Sequence, residues 1–301
     1  MKTGIAVFSI LLLVVAAGCS PRAYVVRGVA DAVSSDGGAF ASDDDPELVR
    51  SAVPFALKAE ESLLSAEPGH RGLLLSLCRG FTQYAAAFVW QDAVESADPA
   101  AARTGKERAV RLWLRARDYG LRGIEAARPG FRALFDADPV GAARTAGPED
   151  VPLLYWTAAS WSLAIASSSG DPGMLADLPR CEALMRRVFA LREDYDAGAV
   201  HEYFIAFEGG RPDAMGGSAT RARRHFERAM ALAGGKKVSP LVTLAETVSV
   251  RAQDRREFLD LLDRALAFDA RREAPEYRQA NLAAQRRASW LKGRVDELFL
   301  E

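Results

Sequence analysis

Asparagine occurs once in the 301 residues, at Asn281, and histidine and cysteine three times each. With no CxxC pair and no clustered histidines, a zinc site has no ligand set to build from. Charge of one sign is also missing. The 39 Lys+Arg and 40 Asp+Glu leave a net charge of -1, so no large field exists to gather nucleic acid or an anionic membrane. Thirty-three of the basic residues are Arg; they are spread among acids, which reads as genomic base composition rather than a basic patch. From Pro46 onward no run alternates with the period of two that a half-buried strand requires.

Catalytic patterns are equally short of members. "HEYFI" begins at His201 like a zinc-protease motif, but Ile205 stands where the second metal-binding His must be. "GGKK" at 234 lacks the earlier Gly and the following Ser/Thr of a phosphate loop, and "EGGRPDAMGG" at 208 reads as a flexible connection. No G-x-S-x-G occurs, and no poised group with an orienting partner can be assembled. The expectation is a protein without catalysis, cofactor or metal.

What is present is 49% apolar and 26% charged residues, enough to bury a sizeable core. The first residues differ from the rest. Lys2 precedes the apolar run "IAVFSILLLVVAAG" and Cys19, the charged start, apolar middle and small-residue exit of a secretory signal. The run is short for a transmembrane helix, and "AAGC" resembles a bacterial lipobox, with Ala16 where Leu is commoner. Residues 1–18 are therefore expected to be a lipoprotein signal peptide and Cys19 a lipidation site; two or three acyl chains would hold the protein on a bilayer almost irreversibly. Residues 19–45, with "SSDGGAFASDDDP", read as anchor and tether, with a short helix at 24–32. Residues 46–301 form the folded domain. Cys78 and Cys181 sit in helical patterns and are expected as buried free thiols, a mutual disulfide being the alternative.

Helical period predicts an all-α domain with helices at 46–66, 70–95, 99–127, 148–168, 178–191, 195–208, 217–233, 239–251, 254–268 and 275–299, punctuated by Gly and Pro. Ala222, Phe226 and Ala229 carry the A-x3-F-x2-A spacing of the second helix of a tetratricopeptide repeat, and Cys181, Met185, Val188 and Phe258, Leu262, Ala265 copy it weakly. Successive copies are not evenly spaced, so the expected architecture is an irregular α-solenoid of divergent helix hairpins.

The stretch "LYWTAASWSLAI" has no charge and is apolar on every side, the mark of a helix central to its protein. Its Tyr155, Ala159, Ser162 stripe permits either close approach of a neighbouring helix or an open hollow with the phenol at its rim. Candidate ligand or partner contacts are Tyr155, Trp156, Trp161, Tyr195, His201, Tyr203, Arg251, Asp254, Arg255, Asn281 and Arg286. The aromatics offer area with a polar tip, and the arginines meet carboxylates. Asp254 and Glu257 also fit a capping box.

"LLYWTAASW", "DLPRCEALMRRVFAL", "YDAGAVHEYF", "GGSATRARRHFERAMAL", "RAQDRREFLDLLDRALAFD" and "NLAAQRRASWLKGRVDELF", in that order after a lipobox, resemble the TatT component family associated with TRAP (tripartite ATP-independent periplasmic) transporters. The resemblance covers most of residues 46–301. It implies a periplasmic, lipid-anchored, non-enzymatic homotrimer of tetratricopeptide-like hairpins that docks the transporter's solute-binding protein and lends a cavity for a hydrophobic ligand. The alternative reading is a lipoprotein of envelope assembly that holds other membrane proteins.

Overall fold

The computed structural model describes residues 21–34, 38–168 and 170–300; residues 1–18, expected to be a signal peptide, and Cys19 lie outside them. Every regular element among the described residues is helical. The main helices are α1 (Pro21–Ser34), α2 (Pro46–Ala66), α3 (71–95), α4 (Pro99–Ala127), α5 (Phe131–Ala137), α6 (Pro139–Thr145), α7 (Val151–Ala166), α8 (Leu178–Leu191), α9 (Tyr195–Gly209), α10 (Ala219–Ala233), α11 (239–252), α12 (Arg255–Ala267) and α13 (Arg278–Lys292), all expected from the sequence except α5 and α6. Both α3 and α11 contain a π-helical segment, Ala85–Trp90 and Ala245–Ser249. Side chains accept from the free N–H groups at the helix starts, Asp45 for α2, Asp98 for α4, Ser218 for α10 and Asp254 for α12.

Helices α5 and α6 stand where the sequence reading placed only a connection. Each is two turns long, too short to declare a period. Phe131 and Phe135 lie one turn apart, stack at 5.2 Å and reach Trp161 at 6.4 Å; Asp138 caps α6. Part of the stretch read as a tether is also structured. Ala30 of α1 is fully buried, and α1 packs on α2 and α3.

Each long helix packs on its neighbours in sequence, and α13 returns to the short helix Gly38–Ser42 just before α2. Arg286 of α13 pairs with Asp92 and Glu95 at the end of α3, and Arg50 of α2 shares Asp92. Arg271, Arg278 and Gln279 donate to the carbonyls of Asp44, Ser42 and Asp43. The row of helices thus closes on itself.

The packing in the middle is tight. On α4, a Cβ at Gly120 would stand 2.0 Å from Thr157 Oγ1 and 3.0 Å from Cys78 Sγ, and one at Gly123 would meet Leu153 at 2.6 Å. Only glycine lets α3, α4 and α7 approach so closely. Cys78 and Cys181 are both buried free thiols, and burial pushes both up to about 12.

Asp150 fixes the start of α7. Its carboxylate is wholly buried and accepts from Arg71 of α3, from Arg128 Nε at 2.6 Å and from the Gly147 N–H at 2.8 Å. Removing one partner of such a buried group leaves the others dehydrated and unpaired. Asp150→Ala is expected to cost about 3–5 kcal/mol, read as a lower urea midpoint with an unchanged slope.

Candidate functional site

Helix α7 is apolar all round, so burial distinguishes its faces. Leu154, Ala158, Trp161 and Ile165 point into the central core. Tyr155, Trp156, Ala159 and Ser162 keep part of their surface. Along the stripe, Ser162 also reaches the Cys181 thiol of α8. Helix α9 stands off from α7 and meets it mainly through side chains: Tyr155 lies 5.2 Å from Tyr195, and Ser162 Oγ is 3.0 Å from the Tyr203 hydroxyl. Trp156 meets Tyr155 edge-on at 5.2 Å, and Leu75 of α3, like Tyr155 and Tyr195, packs against the central core.

Tyr195 is presented by an unusual turn. Asp196, Ala197 and Gly198 have φ of 45°, 51° and 87°, a left-handed run that costs an L-residue roughly 1–2 kcal/mol each. The buried Lys237 holds it, donating to the Asp196 carbonyl and lying 3.0 Å from Asp196 Oδ1. Lys237 is set in turn by Asn281, fully buried, whose amide accepts from Val238 N at 3.1 Å and donates to the Lys236 carbonyl at 2.9 Å. The single asparagine of the chain therefore acts on the aromatic cluster at one remove.

The acids and phenols here are dehydrated. Burial raises Glu202 despite Lys237 and the Ser239 hydroxyl, which donates to it at 2.9 Å. Burial lifts Tyr195 to about 12 and pushes Tyr155 and Tyr203 well above the usual phenol range. All three stay neutral, available as hydroxyl donors and apolar surface but not as bases. On α2, Glu60 is 7% exposed; Ser76 Oγ donates to its Oε1 at 3.0 Å, and Oε2 has no partner. Burial raises Glu60 to about 7, opposed by that hydroxyl and by the charge of Arg79, which also reaches Tyr195.

Tyr155, Trp156, Tyr195 and Tyr203 are thus brought together, and the other nominated residues lie elsewhere. Trp161 is 4% exposed in the core, under the Arg117 guanidinium at 4.9 Å. His201 is buried on another side of α9, its Nδ1 2.9 Å from His225 Nδ1, and the two rings share Phe189. Burial lowers both imidazoles, with His201 adding to the effect on His225, which falls to about 4. Arg251 donates to the Gly209 carbonyl at 2.7 Å, Asp254 accepts from Glu257 N at 2.9 Å and Arg255 lies 2.7 Å from Asp296. Those three form an outer corner, and Arg286 closes the ring of helices. A separate open cleft of about 710 Å³ lies between the start of α4 and the end of α7, lined by Arg103, Lys106, Arg111 and Ser167; it contains none of the nominated residues.

Sequence reasoning missed Glu60, Arg79, Glu202 and Lys237. The one signal for Glu60 is its spacing between Ala56 and Leu63, which sets it in the middle of another weak copy of the A-x3-F-x2-A pattern, where a large apolar residue is expected. Among the described residues no three potential metal ligands converge and no helix is long and apolar enough to cross a membrane.

The site combines an aromatic surface with a few neutral hydroxyls and dehydrated carboxyls. Comparison with known proteins gives the family. The model of the TRAP transporter T-component family matches residues 42–299. A protein of Treponema pallidum (strain Nichols), described only as uncharacterized, is 30% identical over 268 residues, 87% of this chain and 83% of its own length. The chain belongs to the TRAP transporter T-component family, which is in general non-catalytic and associated with a TRAP transporter.

Glu60 gives a test of the dehydration. A carboxyl raised from 4.5 to about 7 keeps a proton in the folded state that the unfolded chain releases between those values, so stability falls as pH rises through that window and levels off above it. Glu60→Gln removes this loss. Relative to the unaltered protein, it is expected to gain on the order of 3 kcal/mol between pH 4 and pH 8, measured by urea unfolding at both.

Proposed function

We propose that this chain is a non-enzymatic periplasmic scaffold, tethered to a bacterial membrane by acyl chains on Cys19, that docks the solute-binding protein of a TRAP-type transporter and holds a small apolar ligand in the Tyr155–Tyr195 cluster. The family match over residues 42–299 carries the reading. The cluster supports its second half: aromatic side chains that keep exposed surface, with few polar groups, are what a ligand of low polarity requires.

The irregular solenoid of tetratricopeptide-like hairpins and the homotrimer belong to the same proposal. In its favour, Cys181, Met185, Val188, Phe258, Leu262, Ala265, Ala222 and Ala229 are all buried at helix contacts, as small residues admitting a neighbour and large ones filling the hollow would be. Energy for transport would come from the partner permease, because this chain has no nucleotide motif.

Copurification tests the docking. Gently solubilised membranes should yield this chain together with a TRAP solute-binding protein, identified by mass spectrometry; if none follows it, the docking reading is lost. Cys19→Ser should move the full chain from the membrane to the soluble fraction, and unchanged membrane retention would remove the anchor from the proposal.

A further inference from the structure

His201 of α9 and His225 of α10 face each other through like atoms. Their Nδ1 atoms stand 2.9 Å apart and their ring centroids 5.1 Å apart. Phe189 lies edge-on to both rings, and Phe204 stacks on His225 at 5.0 Å. His201 is 4% exposed, and its Nε2 is buried without a hydrogen bond, 3.6 Å from Glu193 Oε2. That carboxylate favours a proton on Nε2, so His201 Nδ1 is the acceptor and His225 Nδ1–H donates to it.

The arrangement has room for one added proton at most. A first proton goes to the bare His225 Nε2 and leaves the bond between the rings intact. A second has to go to His201 Nδ1, and two N–H groups of two cations then face each other inside an apolar enclosure. The acids that would offset this charge are already taken, Glu193 by Arg228 and Glu208 by Arg221. Arg186 of α8 and Arg224 and Arg228 of α10 add positive charge. Helix α7 carries no charge, and the charged groups of α11 are engaged elsewhere, Glu246 by Arg287 and Arg251 by the Gly209 carbonyl.

We propose that the His201 and His225 pair is an acid-operated latch, which joins α9 to α10 near neutrality and parts them when both rings are charged, loosening the helix that carries Tyr195 and Tyr203. The latch works whatever the aromatic cluster binds. Burial lowers both imidazoles from 6.5, His225 to about 4. The unfolded chain therefore binds protons from 6.5 downward that the closed pair binds only at lower pH. The latch is fully stable above that value and weakens as pH falls toward 4.

Hydrogen exchange of the full chain, read by mass spectrometry at pH 7.5 and pH 5 and corrected for the intrinsic exchange rate, tests the latch. Residues 195–233 should lose protection by about tenfold or more at pH 5, with α3, α4 and α7 retaining theirs. His225→Gln still donates to His201 Nδ1 but takes no proton, and should reduce that local loss; His201→Gln combined with His225→Gln should remove it. Equal protection of residues 195–233 at the two pH values, a loss spread evenly over the chain, or a local loss undiminished in both variants would each overturn the proposal. The first two outcomes are read on the unaltered protein and need no variant to fold.

Discussion

One buried carboxylate organises the middle of the molecule. Asp150 receives Arg71 from the start of α3, Arg128 from the end of α4 and the N–H of Gly147, so three chain segments distant in sequence are fixed at one point. Ionised groups without water are tolerable only when each lone pair is met, and that requirement is directional in a way that apolar packing is not. It sets where α7 begins and how it is rotated. The glycines at 120 and 123 then let α7 lie against α4 and α3, and the rotation decides that Trp161 faces the core and Tyr155 does not.

The second constraint runs from the far end of the chain. Asn281 holds the connection before α11, that connection carries Lys237, and Lys237 holds a left-handed turn that positions Tyr195. Consecutive non-glycine residues with positive φ survive only where their surroundings over-determine them. Here a buried ammonium does so, at the edge of the one cluster where half-buried aromatics from α7 and α9 meet. Closure of the helices through Arg286, Asp92 and Glu95 ties α13, and with it Asn281, to the N-terminal half. The cluster is thereby built from both halves of the chain.

Helix boundaries were legible because they rest on local chemistry: Asp and Ser caps, Pro in first turns, Gly after last ones. Helices α5 and α6 were not, since two turns carry too little period and their stability comes from Phe131 and Phe135 reaching Trp161. Within the site, the aromatics of α7 stood out because an uncharged helix is conspicuous, yet a helix apolar on all sides cannot reveal which face is covered. That is why Trp161 and Tyr155 were nominated together. Arg251, Asp254 and Arg255 stood out for the opposite reason, as crowded charge, and the structure engages each with nearby carbonyls, amides and acids. Pairings of this kind join residues some forty positions apart and leave no trace in spacing. Glu60 and Arg79 sit on amphipathic helices where a charged residue is unremarkable until its neighbours are known.

What separates the inner cluster from ordinary packing is an imbalance of polar groups. Half-buried charge is matched at Glu257, which takes two bonds from Arg223 and one from Ser249, and at Glu208, which takes Arg221. The matching is less complete at Glu60, Arg79 and Glu202. Glu60 keeps an oxygen without a donor, Arg79 keeps a fork without an acceptor and Glu202 is held in dehydrated surroundings. A helix contact serving stability alone would gain by replacing these groups with apolar ones of similar volume, so their presence costs the free chain something that folding does not return.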